Sequence, residues 1–351
     1  MQWVKNFLCG RISQVHINGN YSQWKPVSSG IPQGSVLGPL LFVIYINDLP
    51  ISCKANGELF LFADDAKMFK HISCIEDSVC LLEGCQRLFD WSEKWLMKLN
   101  TKKCKVLSIG RNRSSCFKYG FNNGDSGFDE LECVDEIKDL GVIIDGDLSF
   151  ESHINDKINK AYQMIGIINR NFKNLDKITF LMLYKSMVRS HLEYAHAVWN
   201  PYRAVLIENI EKVQKRATKL VFRCKKMSYR QRLEYLQLPT LKFCRIRRDM
   251  IETFKILNEK YDPDITPCLQ LSKISNTRGN SLKLSVERTK YNLRKYSFAP
   301  RVVSLWNSLP DSIVLSESLN CFKNALDHHW RTEEMFFDYK VEVIGNNNVF
   351  V

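Results

Sequence analysis

At 351 residues and 41.0 kDa the chain is long enough for two domains and a sizeable core. Hydrophobic residues at 45% and charged residues at 25% exclude a disordered chain, and no apolar run is long enough to cross a bilayer. The net charge of +12 favours an anionic partner, nucleic acid before an anionic membrane surface.

Met1 opens abruptly into QWVKNFLCGRISQV, without the basic and apolar regions of a secretory leader. Residues 3–29 then alternate apolar and polar positions, with Val15, Ile17, Trp24 and Val27 set around Asn18, Gly19 and Asn20, and a hairpin is predicted there. Ser28 to Pro50, SSGIPQGSVLGPLLFVIYINDLP, begins rich in Gly and Pro, so its backbone can approach a ligand closely. Its second half, Pro39 to Leu49, predicts an apolar helix with Pro39 at the start. A Gly-rich turn entering a helix suits a phosphate site, but no G-x-G-x-x-G or Walker pattern accompanies it.

Leu59 to Phe69, LFLFADDAKMF, sets two adjacent carboxylates, Asp64 and Asp65, between apolar runs. The pattern predicts a β-hairpin with Leu59 to Ala63 going up, both aspartates in the turn, and Ala66 to Phe69 returning. Side-by-side acids in apolar sequence are costly unless something positive meets them, which makes the pair a metal-site candidate. An Asp-Asp surface turn is the plainer reading. Glu76 to Asn100 reads as an amphipathic helix through Leu81, Leu82, Cys85, Leu88, Phe89, Trp95 and Leu99. Strands are predicted at Cys104 to Ile109 and Leu131 to Ile137, with a loop from Asn112 to Gly127 between them.

From His153 the chain turns helical, with Ile154, Ile158, Ala161, Ile165, Ile168 and Phe172 on one face. Further helices are predicted near Asp176 to Arg189, Val205 to Phe222 and Leu241 to Asn258. Residues 203–260 hold 16 Lys and Arg against 6 Asp and Glu, so this block carries +10 of the net charge. Lys212, Lys215, Arg216, Lys219 and Arg223 lie off the apolar side of one helix, and Arg245, Arg247 and Arg248 open the next. All eight are candidates for nucleic-acid phosphates, although a solvated basic face fits them as well. Asp262, Pro263, Asp264 and Pro267 mark a linker. Twelve cysteines without a C-x-x-C pair exclude a zinc finger or small disulfide framework and fit the reduced thiols of an intracellular protein.

The order of these pieces says more than any one of them. GIPQGSVLGPLLF followed by FADD resembles the B and C motifs of a reverse transcriptase from a non-long-terminal-repeat retrotransposon, of the jockey or chicken-repeat type. WLMKLNTKKCKVL, Trp95 to Leu107, is similar to that family's D motif, and LGVIID, Leu140 to Asp145, to the hairpin called the primer grip. YKSMVRSHLEYAHAVWNP and IEKVQKRATKLVF resemble its thumb and following helices, and NLRKYSFAPRVVSLWNSLPDSI, Asn292 to Ile313, its C-terminal signature.

The resemblance implies an α+β fold with a partial polymerase palm, a mixed sheet with helices, over 1–150. A mostly α-helical, basic, thumb-like region follows over 151–260, then a C-terminal retroelement region over 261–330 and a disordered tail over 331–351. It implies RNA-directed DNA polymerase chemistry, in which a primer 3′-hydroxyl joins a nucleotide α-phosphate with the help of two divalent metals, Mg²⁺ or Mn²⁺. RNA template, DNA primer and dNTP are the implied partners, with no membrane. Carried over by motif, Asp64 and Asp65 are catalytic metal ligands, and Gln33 and Gly34 line the nucleotide and template side. Lys103 lies near the leaving pyrophosphate, and Leu140 and Gly141 border the primer terminus. A tight turn, a solvated charge and ordinary strand packing are the plain readings of those last three sets.

Two cations about 3.5 to 4 Å apart need carboxylates from more than one strand. In the family the further Asp belongs to an A motif upstream of the B motif, yet Met1 to Ser29 contains no acidic residue. On that resemblance the fingers and any endonuclease domain are expected to be missing with it. The expectation is a reverse transcriptase fragment inactive alone, within the nucleus or cytoplasm, whose exposed palm surface invites association. A non-catalytic RNA- or DNA-binding module and a translated relic are the alternatives.

Overall fold

The computed structural model describes residues 2–53, 56–110, 117–124, 127–272, 280–331 and 333–341. Its fold is α+β, with small two-stranded sheets and many helices. The chain divides into two compact units, 1–106 with 114–133, and 107–113 with 134–351, so the division falls earlier than the expected boundary at 150.

The first unit opens with α1 (Gln2–Leu8), where extended chain was predicted from residue 3. The predicted hairpin follows. Strands β1 (Ile12–Ser13), β2 (His16–Ile17), β3 (Asn20–Tyr21) and β4 (Lys25–Pro26) pair β1 with β4 and β2 with β3. The turn residues Asn18 and Gly19 both have positive φ, 49° and 82°, as a two-residue type I′ connection requires. The apolar run forms two helices in place of one, α2 (Leu37–Ile46) and α3 (Leu49–Cys53). Pro39 sits within the first turn of α2, where its missing N–H costs no hydrogen bond.

Strands β5 (Glu58–Phe62) and β6 (Asp65–Phe69) make the carboxylate hairpin, and α4 (Ile75–Lys94) backs it. Asp77 returns a side-chain bond to the Cys74 cap at the start of α4, and Leu96 at φ 57° lies just past its end, short of the predicted Asn100. Leu59, Leu61 and Met68 of the hairpin pack with Ile46, Leu49, Cys53 and Trp91. Gly84 permits the close approach, since a Cβ there would fall 2.7 Å from Met68 Sδ and 2.8 Å from Asn56 Cβ. Another flank of α4 packs Phe89 against Tyr119, Phe121 and Leu131. The predicted strands appear as β7 (Lys105–Leu107) and, after Leu131, as β10 (Glu132–Val134) and β11 (Glu136–Asp139), interrupted at Asp135. Between them, part of the predicted loop is instead a hairpin, β8 (Gly120–Asn123) with β9 (Gly127–Glu130). Residues 111–116 and 125–126 of that loop lie outside the described residues.

In the second unit β11 pairs with β12 (Val142–Asp145), and α5 (Glu151–Asn171) follows. Ile154, Ile158, Ala161, Ile165 and Ile168 are all buried, as their period predicts; Phe172 caps the helix and is 42% exposed. Next come α6 (Lys177–Leu183), a π-helical turn over Tyr184–Arg189, α7 (Ser190–Glu193) and α8 (His196–Trp199). Helices α9 (Ala204–Ala217) and α10 (Tyr229–Leu236) complete the first core with Ile210, Val213, Leu233 and Leu236. Helix α11 (Leu241–Leu257) adds Leu241 to that core and Phe243, Met250 and Phe254 to a second one. The second core also takes residues from α13 (Phe298–Ser308), α14 (Asp311–Val314) and α15 (Leu319–His329), which follow the short α12 (Asn292–Lys295).

The segment expected as a disordered tail from 331 is partly ordered by contacts. Met335 is buried, Thr240 N–H donates to Phe336 O at 2.9 Å, and Lys242 Nζ donates to Val341 O at 2.8 Å. Residues 332 and 342–351 lie outside the described residues. No described helix is long and apolar enough to cross a membrane.

Candidate active site

The β5–β6 register pairs Phe62 with Asp65, so the connection consists of Ala63 and Asp64 alone. Ala63 has φ 52°, and it is the only one of the two with positive φ, the sign pattern of a type II′ turn whose first position favours Gly. This corrects the expectation that both aspartates occupy the turn: Asp64 does, whereas Asp65 opens the returning strand. Both are exposed. Because side chains alternate along a strand, Asp65 stands on the face away from Met68. That outer face carries Phe60, Phe62 and Phe69, exposed at 46%, 63% and 51%.

Paired carboxylates supply the hard oxygen donors that Mg²⁺ or Mn²⁺ prefers. They fit part of a divalent-ion shell. Among the described residues no third His, Cys, Asp or Glu joins them in a group able to hold a metal.

The other first-unit candidates are also at turns. Ser35 N–H donates to Pro32 O at 3.3 Å across a turn in which Gly34, at φ 81°, takes the position that favours glycine. Gln33 and Gly34 are exposed, and a Cβ on Gly34 would meet nothing within 4 Å, so a ligand has open access to the backbone. Lys103 is exposed in a turn whose N–H donates to Asn100 O at 2.9 Å. No hydrogen bond or ion pair among the described residues joins Asp64, Asp65, Gln33, Gly34 or Lys103 to one another.

Leu140 and Gly141, in the second unit, form the two-residue turn between β11 and β12, with φ of 43° and 83°. This turn is anchored more firmly than strand pairing alone would hold it. Tyr194 Oη donates to Leu140 O at 2.7 Å, and Lys157 Nζ donates to Gly141 O at 3.1 Å. A Cβ on residue 141 would come within 3.3 Å of the Tyr194 ring. Beneath it the fully buried His153 accepts the Ile143 N–H on Nδ1 at 3.1 Å and lies 5.3 Å from the Trp199 ring. Burial pushes the His153 imidazole down to about 4, with Lys157 adding to the effect, so the ring is neutral near pH 7. Tyr194, Lys157 and His153 escaped sequence reasoning because nothing local distinguishes them from other helix residues.

The eight basic candidates divide by environment. Lys212, Arg216, Lys219 and Arg223 are exposed. Lys215 is half-buried and donates to Tyr339 Oη at 2.8 Å. Arg245 is corrected: it is 2% exposed, its Nε donates to Asn200 Oδ1 at 3.1 Å, and it cannot reach a phosphate from that position. Next to it, burial pushes the Asp249 carboxyl up, but His196 Nε2 at 3.3 Å and the hydrogen bonds from the Arg301 guanidinium outweigh that and hold it below the usual carboxylate range. Arg247 pairs with Asp327 and Arg248 with Glu193, so neither presents a free charge on an open helix face.

Residues 1–144 match the family described as reverse transcriptase (RNA-dependent DNA polymerase). The chain is similar to the RNA-directed DNA polymerase from mobile element jockey of Drosophila funebris, with 31% identity over 210 residues, 56% of this chain and 22% of that protein. It is 26% identical over 238 residues to the probable RNA-directed DNA polymerase from transposon X-element of Drosophila melanogaster, 63% of this chain and 25% of that protein. The jockey protein of Drosophila melanogaster is 30% identical over 158 residues, 43% of this chain and 17% of that protein. The chain thus spans a quarter or less of the length of these relatives. No solved structure matches it.

Proposed function

We propose that this chain, similar over residues 1–144 to reverse transcriptases and to the polymerases of non-long-terminal-repeat retrotransposons, contributes the carboxylate hairpin, the primer-side turn and nucleic-acid-holding helices of an RNA-directed DNA polymerase. The observation that carries the proposal is the exposed Asp64 and Asp65 pair at the end of a hairpin backed by α4. Asp64 and Asp65 would hold divalent ions together with a carboxylate from a further strand. When bound, Mg²⁺ or Mn²⁺ supplies activation of the primer 3′-hydroxyl and stabilisation of charge at phosphorus.

The chain's own residues orient the nucleic acid. The Leu140–Gly141 turn, held by Tyr194 and Lys157, borders the primer terminus, and the open backbone at Gln33 and Gly34 faces template and nucleotide. Lys103 lies toward the leaving pyrophosphate. Lys212, Arg216, Lys219 and Arg223 neutralise backbone phosphates. With only two carboxylates at the hairpin, the chain alone binds nucleic acid without turnover.

The exposed basic residues of α9 and its continuation favour a second reading, a nucleic-acid-binding module without catalysis. Fluorescence anisotropy with an RNA–DNA primer–template tests what the two readings share. Binding should weaken steeply with salt and survive Asp64→Ala; binding that is insensitive to salt, or undetectable at low salt, would count against both.

A further inference from the structure

A cleft of about 600 Å³ in the second unit lies where the π-helical turn and α7 meet the start of α11 and the end of α15. Four guanidinium groups line it, Arg189, Arg247, Arg248 and Arg331, against two carboxylates, Glu193 and Asp327. The imbalance is two positive charges.

The existing pairings leave donors over. Glu193 serves two guanidiniums: Arg248 donates to it, while Arg189 Nε lies 3.1 Å from its Oε1. Arg189 Nε and Glu193 Oε1 are nevertheless buried without a hydrogen-bond partner, so their approach is not aligned as a bond. Arg247 is occupied by Asp327, which is itself 47% exposed on its side chain. Arg331 makes no side-chain hydrogen bond or ion pair with any described residue.

A guanidinium offers five N–H donors in a fixed fork that matches phosphate oxygens, and a buried N–H left unpaired is costly. Of these donors only Arg189 Nε is buried without a bond, and Arg331 is exposed; a dianion placed among the four groups would give the Arg331 guanidinium a partner and neutralise the excess charge. The lining disfavours a cation by its sign and an apolar ligand by its desolvation.

We propose that this cleft is a phosphate-binding site, taking a terminal phosphate or a pyrophosphate group. All of its lining residues belong to the second unit and none to the carboxylate hairpin, and the proposal does not depend on polymerase activity. Two sources present this chemistry, the 5′-phosphate of a single strand and a free pyrophosphate anion.

Isothermal titration calorimetry of the full chain at low salt tests the site with sodium pyrophosphate, and with one short single-stranded RNA carrying either a 5′-phosphate or a 5′-hydroxyl. Pyrophosphate should bind, Arg331→Gln should weaken it about tenfold, and Asp327→Asn, which removes the carboxylate competing for Arg247, should tighten it. A preference for the 5′-phosphorylated RNA that disappears in Arg331→Gln identifies a strand end as the source; equal binding of the two RNAs identifies the free anion. Pyrophosphate binding without any RNA binding supports the cleft while contradicting the nucleic-acid reading above. No pyrophosphate binding, or binding unchanged in both variants with circular dichroism like that of the parent, overturns the proposal.

Discussion

Phe62 and Asp65 face each other across the last pair of the β5–β6 hairpin, and that register separates two neighbouring aspartates into a turn residue and a strand residue. The hairpin therefore spends its tightest position on Ala63, a residue with a Cβ at φ 52°. The left-handed region costs an L-residue of this kind about 1 to 2 kcal/mol. Ala63→Gly removes that strain but adds freedom to the unfolded chain worth about 0.4 to 1 kcal/mol. The net expectation is a small stabilisation, no more than about 1.5 kcal/mol, read as a raised urea midpoint. A lowered midpoint would contradict the two-residue turn.

Gly84 carries the opposite sign. A methyl group there meets Met68 Sδ, which can move, and Asn56 Cβ at 2.8 Å, which is tied to the backbone. Gly84→Ala should destabilise the first unit by about 1 to 3 kcal/mol through overpacking, despite the better helix propensity of Ala. Differential scanning calorimetry would register the loss; an unchanged or higher melting temperature would show that α4 does not lie this close to the hairpin.

His153 gives the fold a pH dependence. Its folded value near 4 lies below the ordinary imidazole value of about 6.5, so as pH falls the unfolded chain takes up the proton first. Stability contributed by the neutral ring is present above about pH 6.5 and is lost as pH drops toward 4, by up to about 3 kcal/mol. His153→Asn keeps an acceptor for the Ile143 N–H but does not titrate. Urea unfolding between pH 4 and 7 should show this acid-side loss in the parent and less of it in the variant; parallel curves would contradict the buried, neutral assignment.

Exposed and buried basic residues should respond differently to salt. Replacing Lys212, Lys219 and Arg223 together by Gln should reduce the slope of log K against log salt by about 2 to 3 if each meets a phosphate. Arg245→Met should leave that slope unchanged, because Arg245 is held inside the second unit by Asn200. Equal loss from both variants would mean that the helix faces are assigned wrongly.

Local periodicity made much of this fold legible. Ile154, Ile158, Ala161, Ile165 and Ile168 announced the buried face of α5, and LFLFADDAKMF announced a hairpin with carboxylates at one end. The position of the turn was not readable, because Ala63–Asp64 and Asp64–Asp65 are both plausible two-residue connections, and only packing of Leu59, Leu61 and Met68 selects the register. Arg245 looked like a surface charge for a similar reason: Asn200, which accepts its Nε–H in the buried setting, is distant in sequence. The same holds for the cleft, whose arginines come from three separate segments and become neighbours only when α11 and α15 pack. Tyr194 and Leu140 likewise meet only in the folded second unit.

Primer extension on an RNA template, in Mg²⁺ and in Mn²⁺, with a preparation already shown to bind that primer–template, tests the central claim most directly. The account predicts binding without extension, because the proposal gives Asp64 and Asp65 only part of a two-metal site. Template-dependent extension by the chain alone, lost in Asp64→Ala, would contradict it.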